Sequence, residues 1–518
     1  MPPASGYSFP APIRGLQLNE SVAMPAPGGA LVLDNFICET KDVRPRGGTK
    51  KYATLGAKVE SLFSYISGPS EQFFGATASG IFEITTVADA DVAPSADVTG
   101  QTSGRYSTEQ FGISSGEYLL AVNGTDDAQL YDGVSWSVVN SASTPAITGV
   151  STDSLSHVWS FASRIFFVEK GTLSAHYLPA DSIGGAATEF SLAGVFQKGG
   201  ELLFGATWSL DSGSGLDDKC VFFSSEGEVA VYEGSNPSSA STWARVGVYD
   251  ITKPLGRNGR MRAGGDLIVA TEVGMVPLSQ AISKDPASLS LNAITAAIAP
   301  YWQEQAGKLS SLPWEVKKWP QKDILVVSQP SAVSAGNMGT CLVANLQTSA
   351  WSRFTGVDTQ CLGYFNDFVY YGDTSGAVRQ MEVGGSDDGA VYTAVYIGQH
   401  DPMGAAGAEK TVTQVRGQFL AGTPVEPRIS VLANYSTSVP PAPNSPADFA
   451  TDTWDAATWG TSLWDSSAPV QSLNIWSAAS ASGFMIAPIV QMTFGYSTLP
   501  DVRLVSVDVM YRIGEVVT

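Results

Sequence analysis

The sequence predicts an all-β protein: a β-propeller of about six or seven blades, a small helical insertion, and a C-terminal β-sandwich or jelly-roll-like domain. Three observations carry this. Segments rich in Val, Ile, Phe, Tyr and Trp, separated by Gly, Asn, Asp and Ser turns, fill residues 59–282 and 322–384, as strands joined by hairpins do. One hairpin shape recurs at a regular spacing. A single stretch, 285–309, has helical periodicity instead.

The recurring unit is an apolar strand, a polar turn containing glycine, and a second apolar strand. It reads QFFGATASGIFEIT around Gly80, YLLAVNGTDDAQLYDG around Gly124, RIFFVEKGTLSAHYL around Gly171 and CVFFSSEGEVAVYEG around Gly227. DLIVATEVGMVPLS around Gly274 and DFVYYGDTSGAVRQME around Gly376 continue it. The first five glycines lie about 44 to 56 residues apart, and the last gap has room for DILVVSQPSAVSAGNMGTCLVANL. Four-stranded propeller blades repeat at roughly 40–50 residues, and closing a ring removes the exposed sheet edges that a series of short hairpins would otherwise present. A series of β-sandwiches is the alternative. In YDGVSWSVV (131–139) and TSAWSRFTG (348–356) a Trp follows a turn and starts an outer strand.

The insertion, DPASLSLNAITAAIAPYWQEQAGKL, spaces Leu289, Ile294, Ala297, Ile298 and Tyr301 by three and four residues after Pro286, which predicts an amphipathic helix that Pro300 ends or kinks. Beyond it, VRGQFLAG, PRISVLAN, SGFMIAPIVQMTFGY and VRLVSVDVMYRIG alternate as antiparallel strands. Trp454, Trp459 and Trp464 recur at five-residue steps, a period of neither helix nor strand, so they read as loop anchors. The expected organisation is an N-terminal arm with entry strands over 1–58, the propeller over 59–389, and the C-terminal domain over 390–518.

Composition narrows the function. Lys and Arg number 29 against 49 Asp and Glu, a net charge of −20, and charged residues are only 15% of the 518. Non-specific binding to nucleic acid needs clustered cations that displace counterions, and this balance argues against it. Cys38, Cys220, Cys341 and Cys361 are widely spaced and match neither a disulfide framework nor a metal site; they read as buried small apolar groups. His157, His176 and His400 each stand alone, and no nucleophile, phosphate-loop or metal motif is present. The acidic turns at 123–133 and 211–219 lack the spacing of a calcium loop. The expectation is a protein without catalytic residues, metal or cofactor. MPPASGYSFPAPIRG has no basic head with an apolar run, and no window is long and apolar enough for a membrane span, so neither an export signal nor a membrane span is expected.

Basic residues do gather near the start, in GALVLDNFICETKDVRPRGGTKKYATL (29–55). This stretch, the strand VESLFSYISG, the hairpin FFGATASGIFEIT and the final strand VRLVSVDVMYRIGE together resemble the tail-nozzle proteins of short-tailed bacteriophages, also called tail tubular or packaged-DNA-stabilising proteins. The N-terminal 90 residues carry most of the likeness. The resemblance implies a structural virion protein in the tail, made in the host cytoplasm, that forms a homo-oligomeric ring, typically a hexamer. Its implied neighbours are the head-to-tail adaptor ring and tail fibre or tailspike proteins. DNA would be retained by the ring, then pass through its channel during ejection without specific binding. A wall poor in Lys suits that passage, because each phosphate neutralised adds binding free energy that moving DNA must break. In that setting Arg44, Arg46, Lys50 and Lys51 form a candidate assembly interface, and Asp211, Asp217 and Asp218 a candidate loop of the channel. A carbohydrate-binding or carbohydrate-degrading propeller is the alternative function.

Overall fold

Strands dominate the chain and helices are few. The structure, a computed structural model, describes residues 4–20, 26–209, 218–330, 339–422, 425–445, 471–473 and 475–514. Among these residues, seven successive antiparallel units of three or four strands run from Val59 to Met381. Their first strands are Val59–Ser67, Ser107–Ile113, Leu155–Phe161, Leu202–Trp208, Arg260–Ala263, Glu315–Trp319 and Cys361–Phe365.

Of the recurrent glycines, Gly124, Gly171, Gly227 and Gly376 fall between the second and third strands of their units, and Gly80 and Gly274 open the third strand. Gly227 shows why the turn keeps that residue: its φ is +83°, and a Cβ would meet the Ile251 carbonyl oxygen at 2.4 Å. The stretch expected to fill the last gap supplies Ile324–Gln329 and Thr340–Asn345, paired antiparallel.

Hydrophobic faces decide how the units stack, since each sheet is apolar on both sides and must bury both. Phe63, Phe74 and Tyr131 join the first unit to the second; Val122, Val158 and Phe167 join the second to the third. Phe166, Phe222 and Trp243 lie between third and fourth, and Phe223, Val231 and Val269 between fourth and fifth. Val326, Val343 and Leu362 link sixth to seventh, and Leu62, Phe73 and Phe365 link the seventh back to the first. Burying a Phe or Val side chain completely is worth about 1.5–3 kcal/mol, so each of these six junctions is a substantial contact.

The fifth unit has three strands and leads into the helical insertion. The single helix expected over 285–309 is instead a chain of short pieces, of which Ala299–Leu309 is the longest. Pro300 starts that helix rather than ending it, because a proline in the first turn has no N–H that the helix would use. Trp302 and Ala306 form its buried face, and the Trp302 Nε1–H donates to the Thr271 carbonyl at 2.8 Å.

The N-terminal residues divide among the other sheets. Ser5–Pro10 pairs with Val502–Ile513. Ala30–Asp34 lies parallel to Trp351–Thr355 and antiparallel to Tyr392–Gly398. The Trp351 strand is therefore interior to an eight-stranded sheet, not the outer strand the sequence suggests. Phe36–Cys38 and Val43–Pro45 form a hairpin joined to Val502–Ile513, and Thr49–Thr54 becomes the fourth strand of the seventh unit.

The C-terminal strands expected from the sequence are present as Lys410–Ala421, Arg428–Ala433, Ile486–Phe494 and Val502–Ile513. They belong to two sheets that share one core, where Val415, Phe419 and Val507 meet Tyr396, Val490 and Met492. Trp454, Trp459 and Trp464 lie outside the described residues.

Candidate functional site

Two places gather charge: the N-terminal basic turn and the cavity lined by the seven first strands.

In the turn, Asn35 takes a left-handed φ of +60°, a conformation that Asn tolerates better than most residues. Its amide donates to Thr355 Oγ1 and the Thr393 carbonyl, both at 2.8 Å, and accepts from Arg46 Nε and Thr355 N–H, both at 2.9 Å. Arg46 is 1% exposed. Its guanidinium forks onto Asp387, Nη1 to Oδ1 at 2.8 Å and Nη2 to Oδ2 at 2.6 Å, and lies 4.1 Å from the Tyr392 ring centroid. Burial alone would weaken its hold on the proton, but Asp387 outweighs burial and drives its pKa up. Gly48 completes the motif, since a Cβ there would sit 2.0 Å from the Ser386 carbonyl oxygen.

Arg44 bridges Glu39 at 3.0 Å and the buried Glu382 at 2.9 Å, and Lys322 reaches the same Glu382 oxygen at 3.2 Å. The expectation that Arg44 and Arg46 present an exposed turn to a neighbouring copy is thereby corrected. Both guanidiniums are committed within the chain, because an Arg fork matches a carboxylate in two parallel hydrogen bonds and Asp387 and Glu382 lie against the turn. Lys50 is exposed, and Lys51 pairs with Asp91. Both stand on Thr49–Thr54, the last strand of its sheet among the described residues, where lysines discourage edge-to-edge pairing.

Glu382 gives a pH prediction. Burial would raise its carboxyl, but Arg44, Lys322 and the Gly47 N–H hold it below the ordinary carboxylate range. A depressed folded-state pKa contributes stability above the unfolded value, near pH 4.3 for Glu, and that contribution is lost as pH falls through the folded value. Glu382→Gln is therefore expected to lower the thermal midpoint at pH 7, with the gap from wild type closing on acidification below about pH 4. A gap that stays constant with pH removes the ion-pair account.

The candidate channel loop joins the first and second strands of the fourth unit. Asp211 and Asp217 lie outside the described residues; Asp218 is half-buried just before Lys219–Ser224.

The cavity, about 590 Å³, touches the first strand of all seven units. Side chains two apart on a strand share a face, so Arg260 and Arg262 both point inward from the fifth unit, and Glu315 and Lys317 from the sixth. The two units are tied by the Asn258 amide, which donates to Glu315 Oε1 at 2.9 Å. The other Glu315 oxygen accepts from the Leu362 N–H at 2.6 Å, and Glu109 accepts from the backbone and hydroxyl of Ser160. Burial raises the pKa of both carboxyls.

Arg260 spans the floor. It donates to the Arg257 carbonyl, and its guanidinium approaches His157 Nε2 at 3.2 Å and lies 5.0 Å from the Phe204 centroid. Arg257 donates to the main-chain carbonyls of Ser156 and Arg105. Burial lowers both guanidiniums to about 10, and burial followed by these two arginines holds His157 far below its ordinary value. His157 is thus a neutral packing group, hydrogen-bonded to Ser107 Oγ at 2.7 Å. His176 pairs with Glu169, His400 packs on Tyr435, and all four cysteines are free and buried.

This cationic cavity escaped the sequence analysis. Its signal was present in RNGRMR (257–262) and EVKK (315–318), two clusters of basic residues in a chain poor in them.

No family model and no curated protein matches the chain. Among solved structures, the computationally designed Ika8 protein is 9% identical over 64% of this chain and 100% of its own, with a TM-score of 0.37. Raptor of Chaetomium thermophilum is 9% identical over 66% of this chain and 29% of its own, TM-score 0.42. BBS1N, solved in complex with ARL6DN, is 10% identical over 68% of this chain and 97% of its own, TM-score 0.36.

Proposed function

We propose that the chain is a structural virion protein without enzymatic activity, whose copies form the nozzle ring of a short-tailed phage. In this reading the seven units are the blades of a closed propeller, and the two C-terminal sheets form a sandwich. The ring retains packaged DNA and conducts it during ejection. The observation that carries the reading is the placement of the segment that resembles nozzle proteins. Residues 29–55 supply the strand that completes the seventh unit, the strand that joins the sixth to the C-terminal sheets, and the buried Arg46–Asp387 pair. Residues with those duties are architectural, which fits a motif kept for assembly rather than for catalysis.

Electron microscopy of the purified chain and of virions tests this. The expected result is a ring with a through-channel at the tail. A monomer in solution that is also missing from virions overturns the proposal.

The second reading, a carbohydrate-processing propeller, draws on one observation: Glu109 and Glu315 both reach the central cavity, and glycosidases work with paired carboxyls. Both are tied to protein donors, which favours a structural role. Reducing-sugar release from host polysaccharide, abolished by Glu109→Gln or Glu315→Gln, would select this reading instead.

A further inference from the structure

The central cavity poses an electrostatic problem. Arg260, Arg262 and Lys317 converge on it and Arg257 lies behind them, yet among the described residues none of the four lies within ion-pairing distance of a carboxylate; Arg105 nearby reaches one, Glu60 at 4.0 Å. The carboxyls within reach, Glu109 and Glu315, are engaged by Ser160, Asn258 and the Leu362 N–H. Half-buried cations such as Arg260 and Lys317 with no carboxylate in contact are costly, and like charges held side by side, with the exposed Arg262 beside them, add to that cost. The chain nonetheless places them together, although it has few Lys and Arg to distribute.

We propose that this cavity is an anion site for a small phosphate- or sulfate-bearing molecule, held by Arg260, Arg262 and Lys317. Three features select this class. Cations from two neighbouring units surround one space, and a tetrahedral oxyanion offers enough oxygens to meet all of them, where a carboxylate offers two. Guanidinium forks and a lysine point charge are the usual complements of phosphate oxygens. The remaining wall, with Ser64, Thr108, Ser160 and Thr207, suits a polar body, and a space of about 590 Å³ matches small-molecule sites and is far too small for duplex DNA. Arg257 lies behind the site with its donors on main-chain carbonyls, and acts as a positioning residue for Arg260. This inference rests on the cavity and is independent of the virion proposal.

Calorimetry and thermal melting of the full chain test it, with sodium phosphate, sodium sulfate and glycerol 2-phosphate as probes and sodium chloride at matched ionic strength as the reference. The expected result is saturable binding of phosphate or sulfate with a rise in melting temperature that chloride does not reproduce. Tighter binding of glycerol 2-phosphate than of free phosphate identifies a carried phosphate group; equal or weaker binding identifies the free ion.

Arg262→Gln and Lys317→Gln remove side chains with few internal hydrogen bonds, among the described residues that of Arg262 to the Thr207 carbonyl at 3.4 Å. Each is expected to weaken binding roughly tenfold or more while circular dichroism stays as in wild type. Lys50→Gln, on an outer strand, is expected to bind as wild type. No saturable response beyond chloride, or unchanged affinity in both cavity variants, overturns the proposal.

Discussion

Arg46→Met is expected to lower the free energy of unfolding by about 3–5 kcal/mol, the cost of leaving one member of a buried ion pair alone. The substitution keeps much of the apolar stem but strands Asp387, which accepts two guanidinium hydrogen bonds and one from the Thr49 N–H. It also removes the donor to Asn35 Oδ1 and the cation over Tyr392. Urea unfolding followed by tryptophan fluorescence measures the loss. A change below about 1 kcal/mol would mark the pair as no stronger than a solvated surface bridge. Arg44→Glu with Arg46→Glu, which an exposed turn would tolerate, is expected to be worse still, because it sets new carboxylates against Glu382 and Asp387.

Deleting residues 1–55 is expected to abolish folding. Leu33, Phe36, Val43, Ala53 and Leu55 are all buried at 3% exposure or less. The larger of these each contribute about 1.5–3 kcal/mol, which together approaches the 5–15 kcal/mol that typically separates folded from unfolded states. Removing Thr49–Thr54 also leaves Ala377–Met381 as an unpaired edge in the seventh unit, open to association with other chains. The shortened chain should be insoluble or lack a cooperative melt. A soluble product melting like the full chain would make the N-terminal segment a dispensable arm, as the division at residue 58 suggests.

The hairpins were legible because their causes are local. A glycine turn such as that at Gly227 needs φ of +83°, and strands such as CVFFSS and EVAVYEG pair across it at once. The helical insertion was half legible: its periodicity was real, but Pro300 fits equally the end of one helix and the start of the next, and only the burial of Trp302 and Ala306 shows which turn is helical. The basic turn was visible and its environment was not, since Asp387 lies 341 residues from Arg46. The meeting of the cavity cations is hidden in the sequence for the same reason. Arg260 and Lys317 are 57 positions apart in a sequence with no intervening motif, and alternation places each on a face without saying what that face meets.

By itself, then, the amino-acid order determined the β class, the repeat of hairpins, the break at the helical segment and the strands that follow it. These depend on side chains within a few residues of one another, where turn sterics and alternating polarity act directly. The tertiary structure decided which strand completes the seventh unit, that Arg46 is interior, and that Arg260, Arg262 and Lys317 share one space. Each of those depends on how distant segments meet when the chain closes on itself, and burial, which sets whether a charge is solvated or must find a partner, exists only after that closure.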